Sequence, residues 1–164
     1  RPMADAGWPH EPSLIELAKN ETEQPQLRAQ AVSVLSEICG RSLVPHLLAL
    51  LNDKAPEVRR GAVSALGNLG DKSHLDQLEK LLKDDDLEVR REAVRSLVLI
   101  GGMDVKPRLE NILKDPASPL RGEAALELVR AGDRSLIPIL KETSKDQFQH
   151  VYDPGGPDHR RIFP

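Results

Sequence analysis

Two short stretches near the ends of this chain combine histidine with acidic residues, which are residue types that can ligate a metal ion. His10 and Glu11 form its only His-Glu pair. The C-terminal segment supplies further ligand types, namely His150, Asp153, Asp158 and His159. Their spacing matches no metal-binding motif, and the Pro-Gly-Gly-Pro segment at 154–157 would hold them poorly. We therefore expect no metal centre and no cofactor site, and a solvated tail instead.

The sequence also lacks motifs for nucleophilic catalysis and for phosphate binding. The sequence contains no glycine-rich phosphate loop and no Ser/His/Asp arrangement on opposed elements. The single cysteine, Cys39, excludes an internal disulfide framework, and its place at a helix end favours a packed thiol. His46 and His74 fall on predicted helices and are expected at the surface. We expect no catalytic residue, and hence a protein that is not an enzyme.

Charged side chains in the middle of the chain offer a different chemistry, the recognition of a partner. These are Arg60, Arg91 and Arg95, beside Glu57, Glu88 and Glu92. Two interpretations remain open. The side chains could form a solvated surface of ion pairs between residues four apart, or a partner site in which arginine is the anchor.

A repeat of 31 residues sets the positions of these side chains. Hydrophobic-arginine pairs recur at this step, as Leu27-Arg28, Val58-Arg59, Val89-Arg90 and Leu120-Arg121. Other positions keep the interval: Ala31, Ala62, Ala93 and Ala124; Leu35, Leu66, Leu97 and Leu128; Leu47, Leu78, Leu109 and Leu140. A sustained period of this length is typical of stacked copies of one supersecondary unit.

Each period is predicted to be a pair of helices. Within residues 71–101, leucines recur at helical spacing over 73–83, and Val89, Ala93, Val94, Leu97 and Ile100 do so over 87–100. The carboxylates of residues 84–86 suit the start of the second helix, and Gly101-Gly102 suits its end. The predicted N-caps of the first helices are Ser42, Ser73, Asp104 and Ser135, followed by Pro45, Pro107 and Pro138 in the first turn.

The chain is accordingly predicted to be all-α and to have three parts. Residues 1–11 form an N-terminal extension, and residues 146–164 an irregular tail. Residues 12–145 form the repeat array, with repeats at about 12–40, 41–71, 72–102 and 103–132 and a closing helix at 133–145. The four aromatic residues, Trp8, Phe148, Tyr152 and Phe163, all lie outside the repeats. The tail could therefore mediate self-association.

An acidic residue six positions before each of Arg59, Arg90 and Arg121, and a Val-Arg-x-x-Ala start to the second helix, resemble the HEAT repeat. The 31-residue period and the ending Ala65-Leu66-Gly67 are similar to its short phycobilisome-lyase type. The resemblance implies a right-handed α-α superhelix of about four and a half helix pairs. It also implies a ladder between the Arg series and Asp53, Asp84 and Asp115, and second helices that line a concave face.

The predicted partner-binding positions are those on the second helices that point away from the core. They are Glu57, Arg60, Ser64, Asn68, Glu88, Arg91, Glu92, Arg95, Leu99, Glu123, Leu126 and Arg130. Gln26, Ala29, Gln30, Ser33, Gly61, Pro119 and Gly122 share this outward orientation. Unlike the core, these positions vary freely in type.

Composition narrows the classes of partner. Charged residues make up 30% of the chain and the net charge is −3, so no general basic field is available for nucleic acid. No apolar run approaches the roughly 18 residues of a membrane span. We expect a cytoplasmic protein that binds neither nucleic acid nor membrane.

The leading functional hypothesis is a non-catalytic scaffold that binds another protein or peptide through its concave face. The alternative is a subunit of a phycobilin-lyase-like or other ligand-handling complex, although the face lacks aromatic residues to stack on a tetrapyrrole. Deoxyhypusine hydroxylase is built of similar repeats with His-Glu iron ligands. Here the comparable positions are Arg91-Glu92 and Arg60-Gly61, which do not fit.

Overall fold

The computed structural model describes residues 11–143, which form α-helices joined by 3-10 turns and short loops, with no strand. The helices are α1 (Glu11–Lys19), α2 (Pro25–Ile38), α3 (Val44–Leu50), α4 (Pro56–Leu69), α5 (Leu75–Lys80), α6 (Leu87–Gly101), α7 (Lys106–Lys114), α8 (Arg121–Arg130) and α9 (Ile137–Thr143). The all-α prediction is confirmed. His10, Trp8 and the predictions for 146–164 lie outside the described residues.

The described residues divide into two compact units, one that ends at Gly102 and one that begins at Met103. Helices α1–α6 belong to the first unit, in which α2 packs against α4 and α4 against α6. Each second helix also packs against the first helix of its own pair. The alanines and leucines of the repeat are buried here as the pattern predicts, namely Ala31, Ala62, Ala93, Leu35, Leu66, Leu97, Leu47 and Leu78.

Helices α4 and α6 approach closely because Gly67 has no side chain. The hydroxyl of Ser96 donates a hydrogen bond to the carbonyl oxygen of Val63, over 3.2 Å. A Cβ atom added at Gly67 would lie 2.6 Å from Ser96 Oγ and 3.2 Å from its Cα. The glycine of the Ala-Leu-Gly ending is therefore required by helix packing.

An arginine-aspartate ladder runs through the first unit. Arg28 binds the carboxylate of Asp53 with two guanidinium nitrogens, and Arg59 binds that of Asp84 in the same way. Arg59 also donates to the backbone carbonyl of Asp53, 2.8 Å away, and Arg90 donates to that of Asp84. The predicted ladder is confirmed in this unit. Arg59 shows the full pattern, since it contacts the backbone of the aspartate six residues earlier and the side chain of the aspartate 25 residues later.

The prediction of serine N-caps is wrong. The caps are Asp71 and Asp133, whose carboxylates accept hydrogen bonds from the backbone N–H of Ser73 and of Ser135. A 3-10 turn directly precedes each of α3, α5, α7 and α9, and the α-helix starts two residues after the predicted cap, which a helical period does not reveal. Ser42 lies inside such a turn as well. The prediction that Asp84–Asp86 start the next helix is confirmed, because Asp86 accepts from the N–H of Glu88 and Val89.

In the second unit, α8 packs against α7 and α9. Ala124, Leu128 and Leu109 are buried at their repeat positions. Arg121, at the ladder position of α8, forms an ion pair with Glu142 of α9 at 3.0 Å and donates to the carbonyl of Leu113. The last ladder arginine of the described chain is thus satisfied within its own unit by a glutamate.

Candidate functional site

The three second helices of the first unit enclose an open groove of about 390 Å³. Its walls come mainly from α2 and α4, and α6 contributes one glutamate. The lining residues are Gln26, Ala29, Gln30, Ser33, Ser36, Glu57, Arg60, Gly61, Ser64, Ala65, Asn68 and Glu92.

Small residues keep the groove open. Ala29, Gly61 and Ala65 contribute little side-chain volume where α2 faces α4. Gly61 occupies the register that carries Gln30 in the preceding repeat and Glu92 in the following one. An added Cβ atom at Gly61 would come no closer than 3.6 Å to any neighbouring atom, so packing alone does not require this glycine.

Hydrogen-bonding side chains surround these small residues. Gln30, Ser33 and Asn68 are exposed and supply both donors and acceptors. Gln26 reaches from α2 to α4, where its amide donates to a carboxylate oxygen of Glu57 over 3.4 Å. Such a lining can pair with polar groups of a bound molecule without first giving up buried interactions of its own.

The structure brings together five of the predicted site residues. Glu57, Arg60, Ser64, Asn68 and Glu92 all line the groove. Gln26, Ala29, Gln30, Ser33 and Gly61, which share the predicted orientation, line it too. Sequence reasoning missed Ser36 and Ala65. Ala65 belongs to the Ala-Leu-Gly motif, which was assigned to the core. Ser36 occupies the repeat position of Gly67, and this correspondence could have indicated a position that takes small residues.

The other predicted residues of α6 do not line the groove. Arg91 forms an ion pair with Glu88 at 2.7 Å, and Arg95 forms one with Glu92 at 3.1 Å. Both pairs join residues three apart, so the expected spacing of four is wrong for them. Leu99 is 62% exposed on the same helix.

Three predicted residues belong to the second unit. Arg130 pairs with Glu127 of its own helix at 2.7 Å, while Glu123 and Leu126 are half-buried on α8. All three lie on α8.

Two residues outside the groove carry side chains with possible reactivity. Burial, followed by the nearby carboxylate of Glu11, raises the pKa of the Cys39 thiol above its ordinary value. The thiol therefore stays protonated near neutral pH, as expected of an unreactive cysteine. The prediction that His74 is a surface residue is wrong, since it is 8% exposed, and its Nε2 has no hydrogen-bond partner among residues 11–143.

Across residues 11–143, no three His, Cys, Asp or Glu side chains come together as ligands for one metal ion. No helix within these residues has both the length and the apolar character needed to cross a bilayer.

Comparison with known proteins supports the interpretation of the repeat. The sequence profile of HEAT repeats matches residues 11–97 and again residues 76–151. The match is to HEAT repeats in general and does not distinguish the short phycobilisome-lyase type. No curated protein matches the chain significantly. HEAT repeats typically mediate protein-protein interactions and are generally non-catalytic. With the helix pairs and the ladder described above, the chain belongs to the HEAT repeat family and has its all-α solenoid fold.

Proposed function

We propose that this protein is a non-catalytic interaction scaffold that binds a polypeptide segment in the groove formed by α2, α4 and α6. One observation carries the proposal. The groove is lined by small residues and by polar side chains that the helix packing leaves available. The repeat positions beneath it are fixed by packing, while those in the groove change from repeat to repeat.

A polypeptide suits this lining better than a compact apolar ligand. Pockets for small molecules are mostly lined by hydrophobic and aromatic side chains. This groove contains amides, hydroxyls and charges instead. A main chain presents N–H donors and carbonyl acceptors in alternation, and side chains such as Gln30, Ser64 and Asn68 can pair with both kinds of group.

The ligand-handling alternative is the second candidate. The groove volume falls within the range of small-molecule sites, roughly 300–1,000 Å³. However, the sequence places no aromatic residue between positions 11 and 143 that could stack on a planar chromophore. Absorbance titration with a linear tetrapyrrole tests this candidate, and saturable binding without any protein partner would favour it over the scaffold.

The direct test uses a library of displayed peptides selected on the full chain. The comparison protein is Gly61→Gln, which restores the side chain that the preceding repeat carries as Gln30 and fills the groove. We expect enriched peptides that bind the unsubstituted protein and lose most of their affinity for Gly61→Gln. Peptides that bind both proteins equally, or a selection without enrichment, would count against the groove as the binding site.

A further inference from the structure

Among the described residues that line the groove, Arg60 alone carries a guanidinium group. Its position contrasts with that of Arg91, its counterpart one period later. Arg91 lies three residues after Glu88 and forms an ion pair with it at 2.7 Å. Arg60 lies three residues after Glu57, in the same register, yet forms no hydrogen bond or ion pair with any residue in 11–143. The same Glu-x-x-Arg spacing therefore gives an arginine paired with its glutamate at position 91, and an arginine without a partner among residues 11–143 at position 60.

The reason for the difference lies in the neighbouring repeat. The carboxylate of Glu57 accepts a hydrogen bond from Gln26 of α2. Immediately after Arg60, the absence of a side chain at Gly61 leaves space where Gln30 and Glu92 stand in the adjacent repeats. The guanidinium thus borders an open part of the groove.

We infer that the groove recognises a polypeptide through an aspartate or glutamate side chain that binds Arg60 above Gly61. The inference rests on the proposed function and specifies its ligand. A guanidinium binds a carboxylate with two parallel hydrogen bonds, which fixes direction as well as position. Ser64, one helical turn after Arg60, supplies a neutral hydroxyl to the same groove.

The other charges in the groove favour a carboxylate over a phosphorylated side chain. Glu57 and Glu92 line the same groove as Arg60, so a group carrying nearly two negative charges meets two carboxylates and a single cation. Glu92 is already paired with Arg95. A singly charged carboxylate pairs with Arg60 and meets less repulsion from Glu57 than a phosphate group would.

A mutant cycle on a peptide from the Gly61-dependent selection tests this ligand. The peptide's acidic residue is changed to its amide, and the protein carries Arg60→Gln. Each single change is expected to weaken binding about tenfold or more, and the double change little further than either alone. Arg91→Gln is the matched control, because Arg91 lies one period away and outside the groove. This variant should bind the peptide with the same affinity as the unsubstituted protein.

Exchanging the charges of Arg60 and of the peptide's acidic residue gives a rescue experiment. A general loss of structure could not produce its expected result. The Arg60→Glu protein should no longer bind the acidic peptide. It should bind a peptide in which lysine replaces the acidic residue. A phosphoserine at that position should bind more weakly than the glutamate. Tighter binding of phosphoserine overturns the assignment of a carboxylate ligand.

The outcomes separate the two proposals. Peptides that require an open Gly61 but tolerate Arg60→Gln leave the groove as a peptide site and refute the role of Arg60. Selected peptides that share no acidic residue at a common position would also refute the role of Arg60 while leaving the groove as a peptide site. A selection that yields no Gly61-dependent peptide refutes both proposals.

Discussion

Arg59 and Asp84 form a two-pronged ion pair between successive repeats, in which Nε lies 2.8 Å from Oδ2 and Nη2 lies 2.7 Å from Oδ1. Their side chains are 14% and 8% exposed, so the pair is largely removed from water. Arg60, the next residue, points into the groove instead. Adjacent arginines thus serve different purposes, one structural and one available for binding.

The contrast between these arginines predicts their effects on stability. Arg59→Met keeps much of the aliphatic stem but leaves the Asp84 carboxylate buried without its partner, and should lower the free energy of unfolding by about 3–5 kcal/mol. Arg60→Gln should change it by no more than about 0.5 kcal/mol, because Arg60 has no partner among the described residues. Urea denaturation followed by circular dichroism measures both. Equal effects of the two changes would show that the ladder is not a source of stability.

The same pair predicts a pH dependence. Burial alone raises the pKa of Asp84, but the hydrogen bond from Arg59, then that from the N–H of Asp86, and the charges of Arg59 and Arg90 outweigh it, so the pKa lies below its ordinary value of 3.8. A carboxylate whose folded pKa is lowered stabilises the fold above its unfolded pKa. This contribution is lost as the pH falls through the folded pKa.

We therefore expect the stability difference between the unsubstituted protein and Asp84→Asn to be constant near neutral pH. It should decrease as the pH falls below about 4, because protonated aspartate and asparagine are both uncharged. Urea titrations at a series of pH values give this difference directly, with other acidic groups cancelling between the two proteins. A difference that grows on acidification would contradict the direction of the pKa shift.

Two glycines on α4 should respond in opposite ways to alanine. Gly61→Ala should stabilise the protein by about 0.5–1 kcal/mol, because the nearest atom is an ordinary contact, Val32 Cγ1 at 3.6 Å, and alanine favours a helix. Gly67→Ala should destabilise it by about 1–3 kcal/mol, because the new methyl group would overlap Ser96. Thermal melts of the two variants check the signs. Stabilisation by both would mean that α4 and α6 are less closely packed than described.

Burial should also separate two leucines that share one register of the sequence repeat. Leu27 is 41% exposed on α2, and no second helix precedes α2 among the described residues, whereas Leu120 is 3% exposed. Leu120→Ala should cost about 2–5 kcal/mol and Leu27→Ala less than about 1 kcal/mol. The comparison by chemical denaturation is direct because both variants lose the same atoms. A large cost at Leu27 would indicate that its side chain is covered in solution.

The helix pairs and the buried series at Ala62, Leu66 and Leu97 followed from the sequence, because a period of 31 residues repeats both the helical spacing and its partners. The side-chain bonds of the ladder were implied by family resemblance alone. The helix starts near Ser73 were misplaced because 3-10 turns leave no separate signal in hydrophobic spacing. Helical spacing and the family resemblance together predicted eight of the groove's charged and polar residues as outward-facing, namely Gln26, Gln30, Ser33, Glu57, Arg60, Ser64, Asn68 and Glu92.

The availability of Arg60 could not be predicted in the same way. It depends on whether Glu57 turns toward Gln26 or toward Arg60, and both arrangements satisfy the sequence pattern equally well. Glu88 and Arg91 show the other outcome at the same spacing. Side-chain choices of this kind are decided by contacts between repeats and differ by only a few tenths of a kcal/mol for exposed pairs.

Site-specific photo-crosslinking tests the central claim, that the groove of α2, α4 and α6 is the binding face. A photoreactive amino acid replaces Ser64 in the groove and, in a control protein, Lys80, which is exposed on α5. With a peptide selected for dependence on Gly61, we expect saturable crosslinks from position 64 that excess unlabelled peptide abolishes, and none above background from position 80. Crosslinks from position 80 with none from position 64 would contradict the account.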